Sequence, residues 1–301
     1  MQGSLALKGG VLYVGRHVKT AHVRAYDLDG RPLGPGFSFR GPARARAAAA
    51  GLAVDDDRRV WVADTPADRV RAFNLFGSEV AGVGGAGGEE EPRDAAGSIQ
   101  RPVGVACLGG SEDLRLTVAL GGTRRHAVQV FDEAGRFRAS LRPEGRAGAR
   151  FRRVLGVAVL GRFTYVCEGG ARRVQVFRDG EFHFAIPMPA LPGAAGLRPE
   201  PRAAAPLPDG RLLVACGAPP AAATEDGGSA VLLFDGSGRL LQALAEHGAE
   251  EGRVFEPDDV VVEPGARDRE SRVVVIDRDG ERLQVFNLLG RCYGTFAEEA
   301  G

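Results

Sequence analysis

The sequence predicts an all-β fold made of one four-stranded antiparallel unit repeated six times, and three observations carry that prediction. The first is recurrence. A short alternating run reaches an aromatic, then Asp, Asn or Arg, then a turn with Gly: Tyr26 in "AYDLDG", Phe73 in "AFNLFG", Phe131 in "VFDEAG", Phe177 in "VFRDG", Phe234 in "LFDGSG" and Phe286 in "VFNLLG". The second is spacing, because these aromatics lie about 52 residues apart on average, near the ~40 to 50 residues of a propeller blade. The third is period: apolar and polar residues alternate over short runs bounded by Gly, Asp and Asn, the pattern of strands joined by hairpins. One small sheet cannot bury both of its faces alone, whereas six arranged around an axis can. The chain of 301 residues therefore reads as a single six-bladed β-propeller domain spanning 1–301.

The second unit shows how each element is assigned. "AAGLAV" (49–54) is a first strand, "DDDR" (55–58) a polar turn, "VWVAD" (60–64) a second strand, "RVRAFNL" (69–75) a third and "SEVAGV" (78–83) a fourth. The same division places the blades at about 4–40, 49–85, 101–145, 151–188, 201–246 and 255–299. Innermost strands crowd a central channel, which calls for small residues such as Gly51, Gly104, Gly156 and Ala203 at equivalent places. The run "ARARAAAAGLAV" (43–54) has high helix propensity, but repeat register assigns its "GLAV" to a strand. "GVGGAGGEEEPRDAAGSIQRP" (82–102) is an interblade loop with an insertion, and "GAPPAAATEDGGSA" (217–230) lengthens the hairpin between the second and third strands of blade five. The first strand is 4–7 and the last about 292–297, so no blade is shared between the two ends. Closure is expected to rest on side-chain packing between blades one and six.

On these residues the chain resembles NHL-repeat proteins. "FEPDDVVVEP" with "VVVIDRDGERLQVFNLLG", "RPVGVACL" with "AVQVFDEAG", and "GLAVDDDRRVWVADTPADRVRAFNLFG" are similar to that family's pattern. Blades two, three, four and six match it well, blade one begins abruptly at "SLAL", and blade five lacks the acidic residue and the Arg. The resemblance implies the propeller and a choice of activities. These include RNA- or protein-binding modules, sensor domains and a lyase, with lactonase-like propeller enzymes as more distant relations, many of which hold a metal at the channel axis.

Composition bounds the function. Lys plus Arg and Asp plus Glu are 39 each, so no global field draws the protein onto nucleic acid or an anionic bilayer. Only Lys8 and Lys19 are lysines, and the resulting 37 arginines look like coding bias, which discounts Arg clusters as evidence. Cys107, Cys167, Cys216 and Cys292 lie far apart with no CxxC spacing, which indicates neither a zinc site nor a disulfide framework. They read as small buried hydrophobes. The start "MQGSLALKGG" lacks a signal-peptide pattern, and no stretch approaches the ~18 apolar residues of a membrane helix. The expected location is cytoplasmic, without membrane association.

No catalytic residue, metal or cofactor is expected. The five histidines, His17, His22, His126, His183 and His247, fall in different repeat contexts. No GxSxG elbow is present, and no helix-period segment follows the glycine run to make a phosphate loop. Asp258 and Asp259 are the carboxylates placed to face the channel, both from blade six. Register puts Arg16, Asp64, Leu120, Glu168, Cys216 and Asp277 at equivalent ends of second strands, which makes Arg16, Asp64, Glu168 and Asp277 a candidate channel-mouth ring. Converging carboxylates would bind a cation or share a proton. The stronger alternative is local. Each acid accepts hydrogen bonds from the turn after it, or pairs with the Arg that begins the next strand: Arg69, Arg172 or Arg173, and Arg282. Arg124, Arg125, Arg150, Arg152, Arg153, Arg172 and Arg173 form a candidate basic sector on blades three and four.

These observations favour a non-catalytic binding or scaffold module that meets a protein partner through one propeller face. Two readings stay open beside it: a metal-dependent lyase or lactonase-like enzyme using the channel mouth, and RNA binding through the Arg-rich sector. Neither the partner nor the oligomeric state is written in the sequence.

Overall fold

The computed structural model describes residues 3–17, 21–41, 47–84, 95–191, 196, 198–218, 228–277 and 282–297. Six four-stranded antiparallel sheets make up a six-bladed β-propeller. Blade one is β1 (Gly3–Lys8), β2 (Val11–His17), β3 (Ala21–Tyr26) and β4 (Phe37–Phe39); blade two is β5 (Leu52–Val54), β6 (Val60–Asp64), β7 (Arg69–Phe73) and β8 (Glu79–Gly84). Blade three is β9 (Pro102–Leu108), β10 (Arg115–Leu120), β12 (Val128–Phe131) and β13 (Phe137–Ser140). A two-stranded ribbon, β11 (Thr123–Arg124) with β14 (Phe151–Arg152), ties it to blade four. Blade four is β15 (Val154–Leu160), β16 (Phe163–Glu168), β17 (Arg173–Arg178) and β18 (Glu181–Pro187); blade five is β19 (Glu200–Pro206), β20 (Leu212–Gly217), β21 (Ala230–Phe234) and β22 (Leu240–Glu246). Blade six is β23 (Pro257–Glu263), β24 (Arg272–Asp277), β25 (Arg282–Phe286) and β26 (Cys292–Ala297).

Register in sequence, rather than helix propensity, decides the Ala-rich run: Ala47 to Gly51 are not helical and Leu52–Val54 is the first strand, while residues 42–46 lie outside the described residues. The inserted segments fall between β8 and β9 and between β20 and β21, with 85–94 and 219–227 outside the described residues. Among the described residues no helix is long and apolar enough to cross a membrane.

Six apolar clusters hold the ring, one at each junction between neighbouring blades. The recurrent aromatics are their anchors. Phe73, Phe131, Phe177, Phe234 and Phe286 are fully or almost fully buried, and each contributes about 1.5–3 kcal/mol by leaving water. The residue after the aromatic explains the rest of the motif. Asn74 Oδ1 accepts the N–H groups of Phe76 and Ser78, and Asp27, Asp132, Asp235 and Asn287 cap their hairpins in the same way. Inside the ring, the first strands approach backbone to backbone. A Cβ on Gly51 would lie 2.7 Å from Gly104 Cα, so the crowding expected at the channel is present.

No blade is shared between the ends of the described chain, as the repeat phase requires. Leu5, Leu12, Val14 and Tyr26 pack against Val274, Ile276, Leu283 and Val285, and the Tyr26 and Phe296 rings lie 6.1 Å apart. Closure is more than side-chain packing, however. Asp258 Oδ2 accepts the Gly3 N–H at 3.2 Å and Asp259 Oδ2 accepts the Leu5 N–H at 2.8 Å. The inner edge of β1 has no strand beside it, so these carboxylates satisfy donors that would otherwise be left without a partner.

Candidate functional site

Polar side chains concentrate in three places: the ends of the second strands, the channel mouth, and the rim between blades three and four.

At the strand ends, Asp64, Glu168 and Asp277 are each fully buried, but none lines the channel. Asp64 accepts the Ala48 N–H at 3.0 Å and an Arg71 Nη1–H at 3.2 Å. Glu168 accepts from Arg152 N, Arg173 Nε and Gln175 Nε2 at 2.6, 2.7 and 2.8 Å. Asp277 accepts from Phe255 N, Glu256 N and Arg282 Nη2 at 3.0, 2.8 and 3.3 Å. The backbone donors belong to the connection arriving from the preceding blade, not to the following turn, and Asp64 pairs with Arg71 while Arg69 turns to Glu79. The motif Gln completes this clamp: Gln129, Gln175 and Gln284 accept the N–H groups of Gly97, Glu144 and Gly252 on the same connections. Burial pushes the Asp64 carboxyl above the usual carboxylate range, with its hydrogen bonds and Arg71 pulling the other way. Arg16, at the equivalent position of blade one, is 9% exposed.

The channel is about 260 Å³ and is lined by first strands. Its wall is mostly Gly, Ala, Val and Leu, with Arg202, Asp258 and Asp259 as the charged residues. Arg202 reaches across from blade five, Nη2 to Glu256 at 2.7 Å and Nη1 to Asp258 at 3.2 Å. Burial pushes the Asp259 carboxyl up to about 7, although it accepts the Leu5 and Val260 N–H groups. Sequence reasoning found the two Asp residues and missed Arg202. Its signal was a charge in "PRAAAP" at the position where blade six carries Asp258, an opposite charge in register on the next blade. A divalent cation does not fit this donor set, because the guanidinium already sits between Glu256 and Asp258. Among the described residues no three His, Cys, Asp or Glu side chains converge as ligands.

Histidines are dispersed. His126 Nδ1 lies 3.0 Å from Ser140 Oγ, His183 packs beside Phe184, and His247 lies beside Phe255. All four cysteines are free, and burial pushes the Cys107 thiol up to about 12.

The third place is where the repeat breaks. In blades two, three, five and six the hairpin between third and fourth strands has five residues, but in blade four it is only Asp179 and Gly180. Both have positive φ, 52° and 84°, the geometry of a tight type I′ turn. Arg178 stands where the other blades carry the capping Asp or Asn. The consequence is a gap. Elsewhere the hairpin glycine packs on the preceding blade's fourth strand, Gly77 on Phe37, Gly135 on Val83, Gly238 on Ile186, Gly290 on Leu244 and Gly30 on Phe296; nothing approaches Gly180. A cleft of about 850 Å³ opens there, walled by Arg115, Arg125, Arg138, Arg142 and Arg146, with Asp179 and Glu181 at one end.

The predicted basic sector divides around this cleft. Arg125 lines it, whereas Arg150, Arg152, Arg172 and Arg173 line an adjoining hollow of about 650 Å³ with Glu144 and Glu200. Arg173 is held by Glu168 and Glu144, and Arg153 by Glu200. Arg124 donates to the Gly121 carbonyl. Arg115, Arg125, Arg138, Arg142 and Arg146 are the exposed arginines of the cleft, the last three within the Arg-rich run 136–153, and Asp132 holds Arg138 at 2.7 Å.

No protein-family model matches the chain, and no curated protein matches its sequence. Solved structures do resemble it in shape. A streptogramin B lyase matches with TM-score 0.59 at 12% identity, over 100% of this chain and 84% of the other. The nidogen/laminin complex gives TM-score 0.63 at 15% identity, over 96% and 94%. The WD40 propeller domain of Doa1 gives 0.57 at 12%, over 99% and 82%. These likenesses establish the propeller, and they span both enzymes and binding modules.

Proposed function

We propose that the protein is an NHL-like propeller acting as a non-catalytic binding module, with a protein partner docking on the rim between blades three and four. One observation carries this reading. The shortened hairpin of blade four leaves a cleft of about 850 Å³ whose walls are rich in solvent-facing arginine. By contrast, the conspicuous buried acids are spent on holding blade connections. Grooves formed by loop variation on a rigid repeat scaffold are where such folds place recognition. Immobilised protein should retain polypeptides that the paired variant Arg142→Glu with Arg146→Glu does not, while Arg31→Glu on blade one's hairpin leaves retention intact. Equal retention by all three would refute the assignment.

A second reading, an enzyme of the lyase or lactonase-like propeller group, is favoured by Asp259, a channel-facing carboxyl raised to about 7 and thus suited to proton transfer. Against it, that carboxyl is engaged in closing the ring. Elemental analysis of the purified protein separates the two, since stoichiometric calcium or zinc would favour the enzyme.

A further inference from the structure

We propose that the cleft between blades three and four takes an extended acidic peptide, which adds as a strand to the open edge of β13. This rests on the binding-module reading and names the class of its partner.

The cleft follows a strand edge rather than a sheet face. Phe137 to Arg142, six residues in succession, all line it. Side chains of a strand alternate between two faces, so uninterrupted lining places the cleft alongside the backbone itself. β13 is the terminal strand of its sheet. Its inner edge bonds to β12 and is continued by the Leu141 N–H on the Val128 carbonyl at 3.0 Å, and among the described residues no strand lies on its outer edge. On the other blades the next hairpin's glycine rests against a fourth-strand residue, but no described residue comes within 4 Å of a Cβ placed on Gly180, so the space beside β13 is left open. An uncovered edge is a template for strand addition, with main-chain hydrogen bonds giving affinity and alternate side chains giving specificity.

Charge selects the guest. Five arginines line the cleft against two acids; Arg162 holds one of those acids, Asp179, and Asp132 holds one of the arginines, Arg138, at 2.7 Å. Arg142 is exposed and makes no ion pair among the described residues, while Arg146 is 78% exposed with Glu144 3.6 Å away. Between the cations, Phe137 is 38% exposed and offers an apolar contact. A guest strand that alternates acidic and apolar residues would set one row of side chains on the guanidinium groups and the other on Phe137. Single-stranded nucleic acid needs a run of stacking aromatics, and the described cleft wall supplies Phe137 and the His126 ring alone. The lining run of six residues accommodates about 20 Å of extended guest at ~3.3 Å per residue.

Fluorescence anisotropy with four labelled probes tests the proposal: a dodecapeptide of alternating Glu and Val, its Lys–Val counterpart, a Glu–Val version with Pro at every fourth position, and an oligouridylate of equal charge. The Glu–Val peptide should bind at least tenfold more tightly than the other three. Arg142→Glu with Arg146→Glu should weaken it at least tenfold at an unchanged melting temperature. Equal binding of the Pro-containing peptide would overturn strand addition, tighter binding of the oligouridylate would make the guest a nucleic acid, and no binding by any probe would overturn the proposal outright. Arg-dependent retention of polypeptides without Glu–Val binding would sink this inference alone. Loss of the Arg dependence would sink the binding-module assignment with it.

Discussion

Replacing Asp277 by Ala should unfold the protein more easily without disturbing recognition. The carboxylate is fully buried and accepts the Phe255 and Glu256 N–H groups at 3.0 and 2.8 Å, and Arg282 Nη2 at 3.3 Å. Truncation leaves two backbone donors of the interblade connection without their acceptor and the Arg282 guanidinium without its counter-charge, held only by the Ala249, Glu250 and Arg253 carbonyls. Each orphaned buried donor costs about 1–3 kcal/mol, and breaking a buried ion pair from one side costs about 3–5 kcal/mol in all. A loss near 4 kcal/mol lowers the melting temperature of a domain this large by roughly 6–12 °C. Asp277→Asn keeps one carbonyl oxygen of the same shape and should lose less. The assay is thermal unfolding by circular dichroism, paired with urea midpoints and a binding measurement on the same samples. A melting temperature within a degree of the parent, or binding lost at an unchanged melting temperature, would refute the clamp and make Asp277 a recognition residue.

Other outcomes follow from the same geometry. Burial holds Asp259 at about 7, so the folded state keeps a proton that the unfolded chain, near 3.8, has released. Stability from this group is therefore present at low pH and lost as pH rises toward and through 7. Between pH 5.5 and 8 the parent should lose on the order of 1–2 kcal/mol relative to Asp259→Asn, read from urea midpoints; parallel profiles would contradict it. Gly51→Ala places a methyl 2.7 Å from Gly104 Cα and should cost about 1–3 kcal/mol in thermal unfolding, since backbone cannot step aside. Asn287→Ala removes the acceptor for the N–H groups of Leu289 and Arg291, both exposed residues that water can reach, and the donor to Tyr293 Oη. It should cost only about 0.5–1.5 kcal/mol, with wild-type binding retained.

Much of this architecture was legible because propeller packing repeats. The aromatic of "VFN" or "VFD" is an interblade anchor and the next residue is a hairpin cap, so a local six-residue pattern reports a tertiary contact. The acid that ends the second strand of blades two, four and six was recognisable by register, but its backbone partners were not. Ala48, Arg152 and Phe255 arrive from connections whose path no periodicity specifies. Arg202 escaped notice because its partners sit 54 and 56 residues away on the next blade. The cleft was half visible. "VFRDG" differs from its five counterparts by an Arg in place of the cap and by a shorter turn, which announces a changed hairpin. That the shortened turn uncovers the neighbouring blade follows only once the hairpin of each blade is seen resting on the blade before it.

The most direct measurement is a hairpin graft. Residues 287–291 of blade six, put in place of Arg178 to Glu181 between the equivalent Phe177 and Phe182, restore the five-residue turn and its Asn cap and should lay it over β13. The graft should bind the alternating acidic peptide at least tenfold more weakly than the parent while melting at the same temperature or higher. Undiminished binding by a stable graft would show that recognition lies elsewhere on the ring.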